Sequence, residues 1–93
     1  MDDEMKRLIE KAAGILKAAG AREVYVFGSV ARGTMLEGSD VDFAVSGLPH
    51  EVFFKIMGKV GDILERPVDL IDLDEVNPFT RYLKEERELH RVG

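Results

Sequence analysis

The chain has 93 residues, of which 45% are hydrophobic and 33% are charged, and its net charge is −5. This length predicts a single domain over residues 1–93, and the acidic balance argues against direct binding of nucleic acid, which needs a basic face. The lack of cysteine excludes a disulfide framework and makes the cytosol the expected compartment. Without an apolar run of about 18 residues, no membrane-spanning helix is predicted.

The periodicity of the apolar residues predicts helices and strands in alternation along the chain. In chain order, the predicted elements are a helix at 3–19, a strand at 24–27, a short helix at 29–32, a loop at 34–39, a strand at 40–46, a helix opened by Pro49, a strand at 68–73, and a helix that begins at Asn77 and has residues 84–91 as its charged far end. Helices that alternate with a few strands indicate an α/β domain with a small sheet.

Two carboxylates on the second predicted strand are the first candidates for chemistry. Asp40 and Asp42 alternate with apolar residues, so they share one face of the strand. Carboxylates at i and i+2 have Cβ atoms about 6.5–7 Å apart, a separation that suits one or two small, hard cations. The solvated face of a half-exposed sheet has the same pattern, so the pair is informative only together with its neighbours.

A Gly-Ser turn stands ten residues before this pair, directly after the first strand. Gly28 keeps side-chain bulk away, and with Ser29 it can offer backbone N–H groups and a hydroxyl to the outer phosphates of a triphosphate. The same dipeptide is also common in turns that bind nothing. Arg32, one helical turn further on, is placed to reach a phosphate, or else is an ordinary surface arginine. No Walker A sequence occurs, which excludes a P-loop.

The third predicted strand offers two further carboxylates, Asp69 and Asp72, which point to opposite faces. If Val68 and Leu70 lie on the core face with the apolar residues of the second strand, Asp69 joins the earlier pair. Asp72 then falls on the core side near the strand end, where it caps or pairs. The apolar residues in the second half of this strand are left on the carboxylate side, where the C-terminal helix or a partner must cover them.

Three carboxylates on one face suit Mg²⁺, which prefers oxygen ligands and keeps waters and phosphates in its shell. They also suit two ions about 3.5–4 Å apart, one holding a triphosphate and one lowering the pKa of an attacking hydroxyl. The best-placed third acid could also accept the proton of that hydroxyl. A zinc site is not expected, because His50 and His90 lie far apart in a chain without cysteine.

The combination of Gly28-Ser29, ten residues, Asp40-x-Asp42 and Asp69 on a later strand resembles the DNA polymerase beta-type nucleotidyltransferase superfamily. The fuller string FGSVARGTMLEGSDVDFAV, the short length and the VDLIDL strand are most similar to the minimal nucleotidyltransferases, called MNT proteins. The resemblance covers nearly the whole chain and implies a small mixed β-sheet backed by helices, an α+β nucleotidyltransferase fold. It also implies that Asp40, Asp42 and Asp69 bind the metal, that Asp69 is also the base, and that Gly28 and Ser29 form the phosphate-binding turn.

The activity that the resemblance implies is Mg²⁺-dependent transfer of AMP from ATP to an acceptor hydroxyl, with release of pyrophosphate. Many MNT proteins act as the antitoxin of a helical HEPN partner, and family members are similar to enzymes that AMPylate a tyrosine of that toxin. Two alternatives stay open: a non-catalytic antitoxin that silences its partner by forming a complex, and a nucleotidyltransferase for a small molecule such as an aminoglycoside, which works with a separate acceptor-binding subunit. So short a chain has little room to recognise an acceptor, so we expect a docking protein, or an acceptor bound at an interface in a homo- or hetero-oligomer.

Overall fold

Four helices and four strands make up the described part of the chain in the computed structural model, which describes residues 3–34, 36 and 38–93. The helices are α1 Asp3–Ala18, α2 Ser29–Arg32, α3 Phe53–Leu64 and α4 Pro78–Glu85, with a 3₁₀ turn at His50–Val52. The strands are β1 Glu23–Phe27, β2 Val41–Ser46, β3 Val68–Asp72 and β4 His90–Arg91. Of the predicted loop at 34–39, residues 35 and 37 lie outside the described residues.

The strands form one mixed sheet in the order β3-β2-β1-β4. β1 pairs antiparallel with β2 on one side and with β4 on the other, whereas β2 and β3 run in parallel. A parallel pair requires a crossover connection, which the 3₁₀ turn and α3 provide. The small mixed sheet backed by helices, an α+β fold, is therefore confirmed. Within the described part of the chain, no helix has both the length and the apolar character to cross a membrane.

The alternation of side chains along β2 divides the sheet into two faces. Val41, Phe43 and Val45 are completely buried in the larger of two apolar clusters, together with side chains of α1 and α3. Val68 and Leu70 of β3 pack in the same cluster, in agreement with the face expected for them. The residues that alternate with these five, including the carboxylates, therefore project from the opposite face.

A smaller apolar cluster lies on that opposite face. Its buried members are Phe27, Ala44, Leu73 and Leu83, and Ile71 packs against them as a partly buried side chain. Leu83 comes from α4, so the C-terminal helix covers the second half of β3. Burial of a leucine side chain contributes about 1.5–3 kcal/mol, which holds α4 against the sheet.

The helix α4 begins at the cap that the sequence predicts. The side chain of Asn77 accepts a hydrogen bond from the Thr80 amide (2.9 Å), and Thr80 Oγ1 accepts one from the Asn77 amide (3.2 Å). Together with Pro78 in the first turn, this forms a capping box. The helix ends short of its predicted end, at Glu85, because Arg87 adopts a left-handed φ of 55° and reverses the chain.

The short strand β4 is the element that the sequence did not predict. His90 and Arg91 pair with Val26 and Tyr25 of β1, and Leu89 just before them packs against the smaller apolar cluster. Both residues of β4 are exposed, so no alternating apolar pattern marks the strand. It forms because β1 would otherwise present an unpaired row of backbone groups on that side.

The helix predicted to open at Pro49 starts later than expected. Ser46 is still the last residue of β2, and Pro49 has an extended backbone (φ −61°, ψ 139°) ahead of the 3₁₀ turn. The regular helix α3 begins only at Phe53. Proline favours such a start because its fixed φ suits the turn and it has no amide that needs a partner.

Candidate active site

Asp42 and Asp69 stand side by side on the face of the sheet that carries α4. Their Cα atoms are register partners in the parallel β2–β3 pair, and Phe27 of β1 is the partner of Asp42 on its other side. Because neighbouring strands lie about 4.8 Å apart, Phe27, Asp42 and Asp69 form one row across three strands. The carboxyl group of Asp69 lies close enough to that of Asp42 to raise its pKa.

Asp40 joins this pair from the position just before β2, and not from inside the strand as predicted. Its charge acts on Asp42, whose pKa lies above the ordinary value for an aspartate. Burial is the largest cause of the rise in this pKa, followed by the charge of Asp69, the charge of Asp40 and the hydrogen bond to Asp69. The charge of Arg32 opposes these effects. The structure thus brings the three acids together, with Arg32 beside them.

Gly28 allows the end of β1 to approach Asp42 closely. Its φ of 73° is left-handed, and a Cβ atom at this position would stand 2.3 Å from Asp42 Oδ2. Any side chain here would therefore displace the carboxylate as well as strain the backbone. The sequence predicts that Gly28 keeps side-chain bulk away and offers a backbone N–H group to a phosphate, and the structure adds that it makes room for Asp42.

The turn after Gly28 is a single turn of helix that begins at Ser29 and ends at Gly33 in the left-handed conformation. The amide of Arg32 donates a hydrogen bond to the carbonyl of Gly28 (3.1 Å), which holds the turn against the end of β1. Arg32 is exposed, yet it lies close enough for its charge to act on Asp42. Its guanidinium is therefore free to meet an anion bound beside the carboxylates.

Asp72, the other candidate for the third carboxylate, points away from this group. Its register partner in β2 belongs to the larger apolar cluster. Asp72 Oδ2 lies 2.8 Å from His50 Nε2, and Asp72 Oδ1 accepts a hydrogen bond from the amide of Asp74 (2.9 Å). The register thus places Asp69, and not Asp72, next to Asp42, while Asp72 pairs and caps at the end of its strand.

Comparison of the sequence with models of known protein families identifies the family of this chain. A model of the nucleotidyltransferase domain matches residues 9–92, a segment that contains the whole acidic group and the Gly-Ser turn. The chain belongs to the nucleotidyltransferase domain family. No curated protein matches the chain by sequence.

Solved structures place this nucleotidyltransferase among proteins of similar size and fold. A protein assigned as a minimal nucleotidyltransferase superposes with a TM-score of 0.76 at 30% identity, over 97% of this chain and 95% of that chain. A toxin–antitoxin crystal structure with AMP-PNP gives 0.73 at 24% identity, over 92% and 70% of the two chains. A tri-AMPylated HEPN toxin from Shewanella oneidensis in complex with MNT antitoxin gives 0.67 at 22% identity, over 92% and 70%. The resemblance to minimal nucleotidyltransferases is confirmed.

The acidic group of this nucleotidyltransferase has the donor atoms that Mg²⁺ prefers. All are carboxylate oxygens, and a cation between them would relieve the repulsion that raises the pKa of Asp42. Among residues 3–34, 36 and 38–93, no three acidic, histidine or cysteine side chains are already arranged as a metal site. The donor atoms of the group therefore fit the ion by their chemistry.

Two contacts near the acidic group have no counterpart in the sequence predictions of this nucleotidyltransferase. The ring of Phe79 in α4 meets that of Phe27 edge to face, with centroids 6.0 Å apart, so an aromatic pair borders the row that holds Asp42. Arg66 donates hydrogen bonds to two carbonyl groups of the segment before Asp40. The sequence shows an aromatic residue just before the Gly-Ser turn and an arginine just before Pro-Val-Asp, but only the tertiary structure gives them these neighbours.

Proposed function

We propose that this protein transfers AMP from ATP to a tyrosine hydroxyl of a HEPN toxin, with Mg²⁺, and thereby acts as its antitoxin. The observation that carries the proposal is the pairing of Asp42 and Asp69 in one row, with Asp40 beside them and Gly28 packed against Asp42. Family membership supports nucleotidyl transfer. The complexes of similar fold, one with AMP-PNP and one with an AMPylated HEPN toxin, support ATP and such a toxin as the two substrates.

The acidic residues form the metal-binding part of the proposed site. Asp40, Asp42 and Asp69 would hold one or two Mg²⁺ ions through their carboxylate oxygens. When bound, the ion neutralises the charge that builds on the phosphates during transfer. Asp40 and Asp69 are exposed, so the group opens toward solvent and can receive a metal-bound nucleotide.

The turn after β1 forms the phosphate-binding part. Gly28 and Ser29 would face the outer phosphates with backbone N–H groups and the serine hydroxyl. Arg32 would donate to a phosphate oxygen, which its exposed position beside the carboxylates supports. These residues would hold the leaving pyrophosphate while the α-phosphate stays near the acids.

The proposed step is an in-line displacement. The oxygen of the acceptor hydroxyl forms a bond to the α-phosphorus of ATP, the bond from that phosphorus to the bridging oxygen breaks, and pyrophosphate leaves. The proton of the hydroxyl passes to the carboxylate of Asp69. Since little other chemistry is required, positioning and electrostatic stabilisation account for most of the rate. The exposure of Asp69 suits an acceptor carried by another protein.

The test is to co-express the chain with a HEPN toxin, incubate the complex with Mg²⁺ and ATP, and measure the intact mass of the toxin. We expect the toxin to gain AMP with the wild type and not with Asp42→Asn. Asp62→Asn, which removes an exposed carboxylate of α3, is the matched control and should leave the modification intact. If the wild type silences the toxin without changing its mass, the transferase proposal fails and a non-catalytic antitoxin is supported. Transfer to an aminoglycoside and not to the toxin would support a small-molecule enzyme.

A further inference from the structure

Asp40 lies between two hydrogen bonds that come from the same short junction between α3 and β3. Before it in the chain, the carbonyl of Ser39 accepts a hydrogen bond from Arg66 Nη1 (3.4 Å). After it, the amide of Val41 donates to the carbonyl of Pro67 (2.9 Å). Two consecutive residues of the junction therefore hold the residues on either side of Asp40.

Leu36 and Ser39, the two residues whose carbonyls Arg66 binds, are also bonded to each other. The amide of Leu36 donates to Ser39 Oγ (2.9 Å), and the amide of Ser39 donates back to the carbonyl of Leu36 (3.0 Å). Arg66 Nη1 donates to that same carbonyl of Leu36 (3.2 Å). Gly38 adopts the left-handed φ of 81° within the segment. Arg66 therefore binds both members of a bonded pair, and Ser39 is the residue directly before Asp40.

The backbone on either side of Arg66 restricts where its side chain can go. Glu65, at the end of α3, adopts the left-handed conformation (φ 54°, ψ 37°), which is unfavourable for a residue with a Cβ atom. Pro67 limits the residue before it to extended conformations. Asp69 follows Arg66 by three residues. Residues 66–69 therefore contain both the arginine that binds the backbone before Asp40 and the register partner of Asp42.

The contacts of Arg66 differ from those of a phosphate-binding cation. Its hydrogen bonds go to backbone carbonyls, and the cation whose charge acts on the pKa of Asp42 is Arg32. A planar guanidinium with several donors in a fixed fork is suited to holding two carbonyl groups at once. Arg66 therefore links the junction between α3 and β3 to the backbone just before Asp40.

We propose that Arg66 is a positioning residue that holds Asp40 in place beside Asp42 and Asp69. Its effect on metal binding rests on the proposed function, because it requires that Asp40 be a ligand, whereas its effect on the order of residues 39–41 does not. Loss of Arg66 leaves all three carboxylates in the chain, but Asp40 is then no longer held next to Asp42 and Asp69.

The test is a double-mutant cycle on the full chain, with Mn²⁺ as the probe and its affinity measured by electron paramagnetic resonance. Arg66→Ala should weaken Mn²⁺ binding about tenfold, at the low end of the loss seen when a residue that orients a ligand is removed. In an Asp40→Ala background, Arg66→Ala should cause no further loss, because no ligand is left to position. Arg66→Lys should recover part of the affinity, since an ammonium can still donate to a carbonyl. If Arg66→Ala does not fold, Arg66→Gln takes its place in the cycle.

The control is Arg7→Ala, which removes an exposed arginine of α1 and should not change the Mn²⁺ affinity. Wild-type affinity in Arg66→Ala, or an equal loss with and without Asp40, would overturn the proposal. If the wild type binds no Mn²⁺, the metal part of the proposed function fails, and amide hydrogen exchange then decides about Arg66. Faster exchange at residues 39–41 with unchanged exchange in β1 supports a positioning role, and unchanged exchange at 39–41 rejects it.

Discussion

Asp42 and Asp69 are register partners in a parallel strand pair, and their carboxyl groups lie side by side on one face of the sheet. Partner residues of adjacent strands project side by side, so this contact follows from the strand register and needs no loop to create it. Phe27 flanks Asp42 on its other side, in keeping with burial as the largest cause of its raised pKa. Two acids held in this way favour a shared proton or a shared cation.

Asp42→Asn should raise the melting temperature near neutral pH in the presence of a chelator. The pKa of Asp42 in the folded protein lies above the ordinary value of 3.8, so between these two values the folded state binds more protons than the unfolded state. Stability therefore falls as the pH rises through this window, and the full penalty is present above it. Asparagine carries no charge and removes the penalty.

The measurement is a thermal melt of the variant and the wild type at a series of values from about pH 4 to about pH 8. The difference in melting temperature should grow with pH and then level off above the raised pKa. A difference that does not depend on pH, or a variant that melts lower at neutral pH, would contradict the electrostatic account.

Asp69→Asn and Asp72→Asn separate the two carboxylates of β3. Asp69→Asn should slow AMP transfer by about 10²–10³-fold, the usual loss when one group that stabilises the transition state is removed. Asp72→Asn should leave transfer nearly unchanged and lower the free energy of unfolding by about 0.5–1.5 kcal/mol, because it weakens contacts to His50 and the Asp74 amide. Single-turnover assays with labelled ATP and urea denaturation check both. The reverse pattern would mean that the carboxylate beside Asp42 is not the functional third acid.

Gly28→Ala should damage the site more than Gly33→Ala, although both glycines have the same φ of 73°. Each substitution carries the cost of about 1–2 kcal/mol for a left-handed residue with a Cβ atom. At Gly33 the new Cβ atom meets nothing within 4 Å, whereas at Gly28 it would stand 2.3 Å from Asp42 Oδ2.

Melting temperatures and Mn²⁺ affinities of the two variants test this comparison. Gly33→Ala should lower the melting temperature by about 4–8 °C for each kcal/mol and leave Mn²⁺ binding intact. Gly28→Ala should melt lower still and bind Mn²⁺ more weakly. Equal effects of the two substitutions would show that the close approach of Gly28 to Asp42 does not affect stability or Mn²⁺ binding.

Leu83→Ala should lower the free energy of unfolding by about 2–5 kcal/mol, the usual cost of a cavity in an apolar cluster. Leu83 is 2% exposed and is the side chain through which α4 enters the smaller cluster. Tyr82→Ala, one position earlier and 50% exposed, should cost about 1 kcal/mol or less. Urea denaturation of both variants gives the comparison, and similar losses would mean that α4 is not held by its buried face.

The candidate site was largely predictable because local patterns determine most of it. Alternation on two strands fixes which carboxylates share a face, and this placed Asp69 with Asp42 and left Asp72 on the other side. The same alternation left apolar residues of β3 in need of a cover, which α4 supplies through Leu83. That these carboxylates bind metal, and that Asp69 acts as a base, stay predictions.

The parts that the sequence could not predict depend on contacts between distant segments. β4 consists of two exposed residues, His90 and Arg91, whose pairing depends on the free side of β1 and not on their own pattern. In the sequence, Arg66 is an ordinary arginine just after a helix. Its role depends on the carbonyls of Leu36 and Ser39, which only the tertiary structure brings next to it. Asp40 lies just outside β2 for a related reason, since the bonds of Arg66 and Pro67 hold it at the strand start.

β3 is one of the two outer strands of the sheet, and its carboxylates project from both faces. An outer strand offers free backbone donors and acceptors that invite another chain to add a strand, and charged side chains oppose such an addition. We therefore expect Asp69, which is exposed, to oppose the addition of another strand to this edge. Solubility would then favour a carboxylate at Asp69 even in a relative that had lost its chemistry, so the presence of this acid alone does not distinguish an active enzyme from an inactive one.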